Sequence, residues 1–265
     1  MASGDVLLLE EKGRVATLTL NRPEKRNSLS PEMLIRLHES LEELKKEDVV
    51  RAVIIRGAGD RAFSSGYDIS AISTERSSKI QEALVGNPLE MAIQSILQFP
   101  YPVLALLNGD AIGGGCDLAV CCDLRIGADD IRMGMPPAKL GLVYPLSGLL
   151  RFVQTIGLPN TRELFLTGRY FPAQRIKEMG LVHYLLPRTE LESFVYEMAD
   201  VMAANAPLSI KGTKRILHLI SQSITLPDQD LREINDLLGQ ALASEDFKEG
   251  RQAFREKRKP EFKGK

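Results

Sequence analysis

Three consecutive glycines, Gly113-Gly114-Gly115, stand between an apolar run, Pro102-Val-Leu-Ala-Leu-Leu107, and a short apolar segment, Cys116 to Cys122. The pattern reads as a buried strand, a turn and a buried helix. Glycines let a substrate approach the main chain, and a helix start leaves backbone N–H groups free. Such donors suit an oxygen that becomes negative during a reaction, so the segment is a candidate oxyanion hole. Glycine clusters also serve tight turns and close packing of a helix on a sheet. The spacing is neither Gly-x-Gly-x-x-Gly nor a loop ending in Gly-Lys-Ser/Thr, which disfavours dinucleotide and nucleoside-triphosphate sites.

The other reactive residue types point nowhere so definite. Cys116, Cys121 and Cys122 lie on or beside one apolar helix and form no Cys-x-x-Cys or disulfide framework. Free cysteines so placed behave as small core residues. His38, His183 and His218 are scattered without metal-ligand spacing, so neither a metal nor a separate cofactor is expected. The 265 residues are 44% apolar and 26% charged with net charge −1, a soluble, globular composition. Nothing in that balance favours nucleic acid or an anionic membrane. No apolar run approaches the ~20 residues of a membrane span, and the start lacks a secretory signal. The expectation is a cytoplasmic protein.

The elements that must hold the glycine segment follow from periodicity. Val6 to Glu11 and Arg14 to Leu20 flank a Lys12-Gly13 turn as a hairpin. Ser30-Pro31 reads as an N-cap and first-turn proline, and Leu34, Leu37, Leu41 and Leu44 make the apolar face of the helix that follows. Ala52 to Arg56 is a buried strand leading into a glycine-rich loop, Gly57 to Gly66. A polar stretch, Ser70 to Ser78, precedes a helical segment ending near Phe99. Leu124 to Ala128 reads as a strand, residues 147 to 157 as a helix capped by Ser147, and Leu181 to Pro187 as a strand. Alternation of strands and helices through Pro187 argues for an α/β core. Beyond it, Glu190–Ala204, Ser209–Ser221 and Asp228–Ala243 read as helices, followed by a charged segment from Asp246 to Lys259. The expected organisation is a core over 1–187 carrying the site and a helical subdomain over 188–265.

Several separated signatures now agree. Asn21-Arg-Pro-Glu-Lys-Arg-Asn-Ser-Leu29, Ala62-Phe-Ser-Ser-Gly-Tyr-Asp-Ile69 and Asn108 through Asp123 resemble the crotonase (enoyl-CoA hydratase/isomerase) superfamily. Leu166-Thr-Gly-Arg169, Ala173 through Val182 and Phe254 through Phe262 extend the resemblance over essentially the full length, in the family's order. It implies a spiral of ββα turns with a helical C-terminal trimerisation region, assembled into homotrimers or homohexamers. It also implies an acyl-CoA thioester substrate passing through an enolate. By motif position the thioester oxygen is held by the backbone N–H groups of Tyr67 and Gly114. Ser65, Gly66, Asp68 and Ile69 belong to the same loop. Coenzyme A, which enters as part of the substrate, is matched by Lys25 and Arg26 beside the nucleotide. Phe262 and Lys263 match C-terminal contacts that can come from a neighbouring subunit. The last 15 residues hold seven Lys/Arg against two Glu, a pattern that suits an anion or simply a solvated tail.

Family hydratases use two glutamates to move protons and position water. Here the first position is Asp117 and the second, in Met135-Pro-Pro-Ala-Lys-Leu-Gly141, is Pro137, which transfers no proton. Asp117 serves either as the one working carboxylate of an isomerase or as a first-turn residue favoured by the helix dipole. Met135 through Gly148 resembles the methylmalonyl-CoA decarboxylase branch, which has a tyrosine at the position of Tyr144. Hydroxyls of Tyr144 or Tyr67 would there orient a substrate carboxylate and protonate the carbon; packing is the plainer role for both rings. Three readings are carried forward. They are an acyl-CoA enzyme of the hydratase/isomerase family, a malonyl-type decarboxylase, and a non-catalytic CoA- or RNA-binding protein, the RNA version disfavoured by charge.

Overall fold

The computed structural model describes residues 5–68, 87–222 and 227–263. Strands β1 (Leu7–Lys12) and β2 (Val15–Leu20) form an antiparallel hairpin, turned at Gly13, where φ is +62°. From β2 onward the sheet is parallel. Its order is β1-β2-β3-β5-β7-β10, with β3 at Ala52–Gly57, β5 at Val103–Leu107, β7 at Leu124–Ala128 and β10 at Tyr184–Leu186. Every residue of β5 is buried, as a strand covered on both faces requires.

A second, smaller sheet has the order β4-β6-β8-β9. Its strands are β4 (Ala62–Ser64), β6 (Asp110–Ile112), β8 (Arg132–Gly134) and β9 (Tyr170–Pro172). In two successive turns the chain places a long strand in the first sheet, a short one in the second, and then a helix. Thus β5 and β6 lead to α3 (Gly114–Val120), and β7 and β8 lead to α4 (Leu146–Thr167). This is the expected ββα spiral. Asn108 ties successive turns together. Its side chain accepts from Gly57 N–H at 3.0 Å and donates to Gly57 O at 2.8 Å and Gly59 O at 2.5 Å.

Helix α1 (Pro31–Glu47) begins as its sequence dictates, Ser30 Oγ accepting from Met33 N–H, and buries Leu34, Leu37, Leu41 and Leu44. Helix α2 (Pro88–Gln98) is capped by Asn87, and α5 spans Ala173–Glu178. Helix α6 (Arg188–Ala204) lays Leu191, Val195, Ala199 and Ala203 on β3, β5 and β7. Helices α7 (Pro207–Ser221) and α8 (Asp228–Ala243) bury none of their residues. Helix α9 (Glu245–Glu256), which forms the charged segment, turns back onto the short 3-10 helix Pro137–Leu140.

Local boundaries depart from the sequence reading in four places. The glycine-rich loop 57–66 contains a strand, β4, because Ala62, Phe63 and Ser64 are fully in the core. The helix expected over 147–157 starts at Leu146 after Pro145, so Ser147 lies in the first turn and caps nothing. It continues past a break at Gly157, where φ is +72° and ψ 161°. The helix read from Cys116 begins two residues earlier, at Gly114. His183 precedes β10, and its Nδ1 accepts from Arg125 N–H at 3.1 Å. The Ser70–Ser78 stretch lies outside the described residues.

Candidate functional site

A cavity of about 540 Å³ opens where β4, β6 and the start of α3 meet the 3-10 helix and α9. Ser65, Gly66, Tyr67 and Asp68 form one wall and Gly113 and Gly114 the floor. Met135, Pro136, Pro137, Leu140 and Leu142 make an apolar opposite wall, and Phe247, Gly250, Arg251 and Phe254 of α9 close over it. The distant motifs read as one site do therefore converge.

The loop that carries Tyr67 is fixed from both sides. Leu29 N–H donates to Gly66 O at 2.8 Å and Asp68 N–H to Leu29 O at 2.9 Å, leaving Tyr67 between them. Gly66 sits at φ +101°, a region closed to most side chains, and a Cβ there would meet Ile112 O at 2.8 Å. Gly113, at φ 55° and ψ −124°, makes the corresponding turn into α3. A Cβ on Gly114 would lie 3.2 Å from Tyr67 N, so the two amides flank one small space. Neither N–H has a backbone partner among the described residues. Preorganised amides left unpaired beside a cavity are the geometry that stabilises a developing oxyanion.

The candidate proton-handling residues separate into two groups. Tyr67 lines the cavity, and its hydroxyl has no partner among the described residues. Burial, then the charge of Asp68, pushes its pKa up, which keeps it protonated at neutral pH. Asp68 also lines the cavity but is paired with Arg22 Nη1 at 3.0 Å. Asp117 is different: its side chain is 1% exposed and turned away from the cavity. Tyr144 donates its hydroxyl proton to Asp117 Oδ2 at 2.7 Å. Arg151 closes a fork on the same carboxylate, Nε to Oδ1 at 3.0 Å and Nη2 to Oδ2 at 2.8 Å. The other edge of the guanidinium donates from Nη1 to both Glu90 oxygens at 3.1 and 3.2 Å. Burial alone would lower the Arg151 pKa; the Asp117 hydrogen bonds and charge outweigh it and hold the pKa above its ordinary value. Burial, followed by the adjacent Asp117, pushes Tyr144 far above its usual range.

Tyr144 lines the cavity, its ring packed on Phe165 with centroids 5.4 Å apart. Pro137 is buried and lines the cavity. Among the described residues, Asp68 is the one carboxylate in the lining. Arg151 and Glu90 were not among the sequence candidates. The signal was a lone arginine inside an apolar helix, Leu146-Ser-Gly-Leu-Leu-Arg-Phe-Val, which demands a buried partner.

A second cavity of about 570 Å³ adjoins the first through Ser65, Ile112, Tyr170 and Phe254. Arg26, Arg61, Arg132 and Arg188 line it. Arg132 is held by Asp110 at 2.6 Å and Arg188 by Asp130 at 2.9 Å. Lys25 lines neither cavity; its carbonyl accepts from Ser65 Oγ at 3.3 Å. Phe262 and Lys263 are exposed on the tail and line neither cavity in this chain. Ile69 lies outside the described residues.

Comparison with known proteins identifies the family and the fold. The family model described as enoyl-CoA hydratase/isomerase matches residues 10–265. The short-chain-enoyl-CoA hydratase of Clostridium acetobutylicum is 31% identical, over 96% of each chain. The methylmalonyl-CoA decarboxylase of Escherichia coli is 30% identical, over 95% of each. A solved methylmalonyl-CoA decarboxylase complexed with 2S-carboxypropyl-CoA superposes with a TM-score of 0.93 at 29% identity, covering 99% of this chain and 100% of that one.

Proposed function

Since the chain belongs to the enoyl-CoA hydratase/isomerase family of acyl-CoA enzymes, we propose that it forms a thioester enolate by removing CO₂ from a malonyl-type acyl-CoA. The observation that carries this reading is the sequestration of Asp117. Hydration needs an acid–base group beside the substrate to activate water. Here the first such position is bound by Arg151 and Tyr144 outside the cavity, and the second is Pro137.

Decarboxylation needs no base. The electrons of the breaking C–C bond pass to the α-carbon and thioester oxygen, and the carboxylate leaves as neutral CO₂. The Tyr67 and Gly114 amides suit the oxygen that gains the charge. The wall from Met135 to Leu142 is apolar apart from Lys139, and its apolar part gives a departing carboxylate little solvation, which favours its discharge. Tyr67, whose hydroxyl is raised in pKa and has no partner among the described residues, is suited to orient the carboxylate or give the α-carbon its proton. The arginine-lined second cavity suits the phosphates of coenzyme A, with Arg26 the residue shared with the family loop.

Two helices support self-association into a homotrimer or homohexamer. Helix α7 exposes Leu208, Ile216 and Leu217, and α8 exposes Leu231 and Leu237. Apolar faces of this kind mark protein contacts.

A second reading stays in view because relatives such as the Clostridium enzyme are named hydratases. The discriminating experiment is mass spectrometry of thioesters after incubation in deuterated buffer with crotonyl-, 3-enoyl- and methylmalonyl-CoA. Loss of CO₂ with one deuteron gained is the expected result. Water addition or double-bond migration without CO₂ loss would return Asp117 to an acid–base role and overturn the assignment.

A further inference from the structure

The reaction proposed above leaves Arg151 and Glu90 unused, yet they complete a connected chain of charge running Glu90–Arg151–Asp117–Tyr144 to the edge of the cavity. We propose that Arg151 is a positioning residue: its fork on Asp117 commits the only hydroxyl proton of Tyr144 to that carboxylate and so turns the phenol lone pairs toward the bound thioester. This inference rests on the thioester-enolate reading of the cavity and extends it to a residue outside the lining.

A phenol has one proton and an ionised carboxylate only accepts, so the direction of the Tyr144–Asp117 bond follows from the charge on Asp117. That charge, in a side chain almost fully buried, needs a cation. Arg151 is the one that reaches it among the described residues, at 2.8 and 3.0 Å. The other groups facing Asp117 supply none. Cys116 and Cys121, on its own helix, are thiols whose pKa values burial pushes up. Tyr144 comes from the loop before α4, and Glu90, on α2, lies beyond the guanidinium. Arg125, on β7, is spent on the carbonyls of Val120, Cys122 and Leu181. Glu90 holds the far edge of Arg151, so the fork cannot swing away. The result is a cavity lined by Tyr144 in which that hydroxyl offers a substrate carboxylate no proton, while the Tyr67 and Gly114 amides have no backbone partner among the described residues.

Removing Arg151 should reverse the bond. A buried carboxyl without its cation takes up a proton near neutral pH. Protonated Asp117 then donates to the Tyr144 oxygen, and the phenol proton is released toward the cavity. The test combines two readouts on Arg151→Met, Arg151→Lys and Arg151→Met/Asp117→Asn. The first is kcat and KM against pH, on whichever thioester the unaltered protein turns over. The second is the 13Cζ resonance of Tyr144 in tyrosine-labelled protein without substrate, identified by its loss in Tyr144→Phe.

For Arg151→Met we expect kcat to fall at least about tenfold with KM changed less than about threefold. The kcat profile and the Tyr144 resonance should share one inflection with pH that the unaltered protein and the double variant lack. Arg151→Lys, which keeps the charge without the fork, should fall between. A folded Arg151→Met with unaltered kcat, or with a loss of kcat and no inflection in the Tyr144 resonance, overturns the proposal. Should Arg151→Met not fold, the double variant leaves no charge buried. A Tyr144 resonance and kcat unchanged in it would equally refute the proposal. If the protein hydrates enoyl thioesters instead of releasing CO₂, the reaction assignment falls while the resonance still decides the role of Arg151.

Discussion

Gly148 sits in the first turn of α4 with ordinary helical backbone, and what it lacks is room. A Cβ built there lies 2.3 Å from Tyr144 Cε1 and 2.7 Å from Cδ1. Elsewhere on a helix, glycine to alanine stabilises by about 1 kcal/mol. Here the Tyr144 ring must retreat by about 1.2–1.7 Å to reach normal carbon–carbon contact. It either remains strained, at about 1–3 kcal/mol, or swings out of its 2.7 Å bond to Asp117, at about 1.5–3 kcal/mol for a bond to a charged group. Subtracting the helical gain leaves Gly148→Ala less stable by about 0–2 kcal/mol, read by urea denaturation. Turnover should fall about 10–100-fold, matching Tyr144→Phe, because both remove the same oriented oxygen. The decisive comparison is Gly148→Ala made in a Tyr144→Ala background. With the ring gone, the added methyl should stabilise by about 1 kcal/mol. A Gly148→Ala protein more stable than the parent, with full turnover, would show that the ring does not pack against this turn and would refute the argument.

Three further outcomes follow from the same structure. Gly114→Pro removes one candidate oxyanion donor at the first position of α3, where proline is tolerated; turnover should fall about 10²–10³-fold with the fold intact by circular dichroism. His183 has its pKa lowered to about 4, first by burial and then by Arg125. Its neutral form is therefore favoured in the folded chain, and the associated stability is complete above the unfolded value near 6.5 and lost as pH falls from there toward 4. For a half-buried ring the loss should be about 1–2 kcal/mol after solvent screening, and His183→Asn should flatten the difference between denaturation at pH 7 and pH 5. Leu217→Asp, at a side chain 61% exposed on α7, should shift sedimentation toward the single chain; an unchanged sedimentation coefficient would remove α7 from the assembly interface.

The fold was legible wherever one periodic signal dominates. The leucine stripe of α1 and its Ser30-Pro31 start appear as read; β5 and a helix after the glycines also appear, with β6 interposed and α3 starting inside the glycines at Gly114. Short strands were not legible. Segments such as β4, β6 and β8 have three residues each, too few to show alternation, and they exist because successive turns of the spiral stack them. Residues lining the cavity were legible through the family motifs at 62–69 and 108–123, whose backbones do meet there. What the sequence could not give was the direction in which Asp117 points. One helical turn decides whether a carboxylate faces substrate or an arginine 34 residues later, and that is set by the packing of α4 on α3.

That orientation bears on what the family's first acid–base position does in this chain. A buried ion pair is weak evidence of stabilisation, since the cost of removing both charges from water offsets their attraction. Packing an apolar pair between α3 and α4 would serve the core at least as well. The Asp117–Arg151 pair makes sense through what it touches next: the phenol of Tyr144, which lines the same cavity as the Tyr67 and Gly114 backbone. On the proposed reading, the phenol proton drawn inward leaves Tyr144 with none to give a substrate carboxylate, while the two amides receive the charge of the enolate oxygen. A reaction that discharges a carboxylate and forms an enolate moves charge in that same sense. Hydration has to place and deprotonate a water beside the α,β-double bond, and this cavity lines that region with Pro137 instead of a carboxylate.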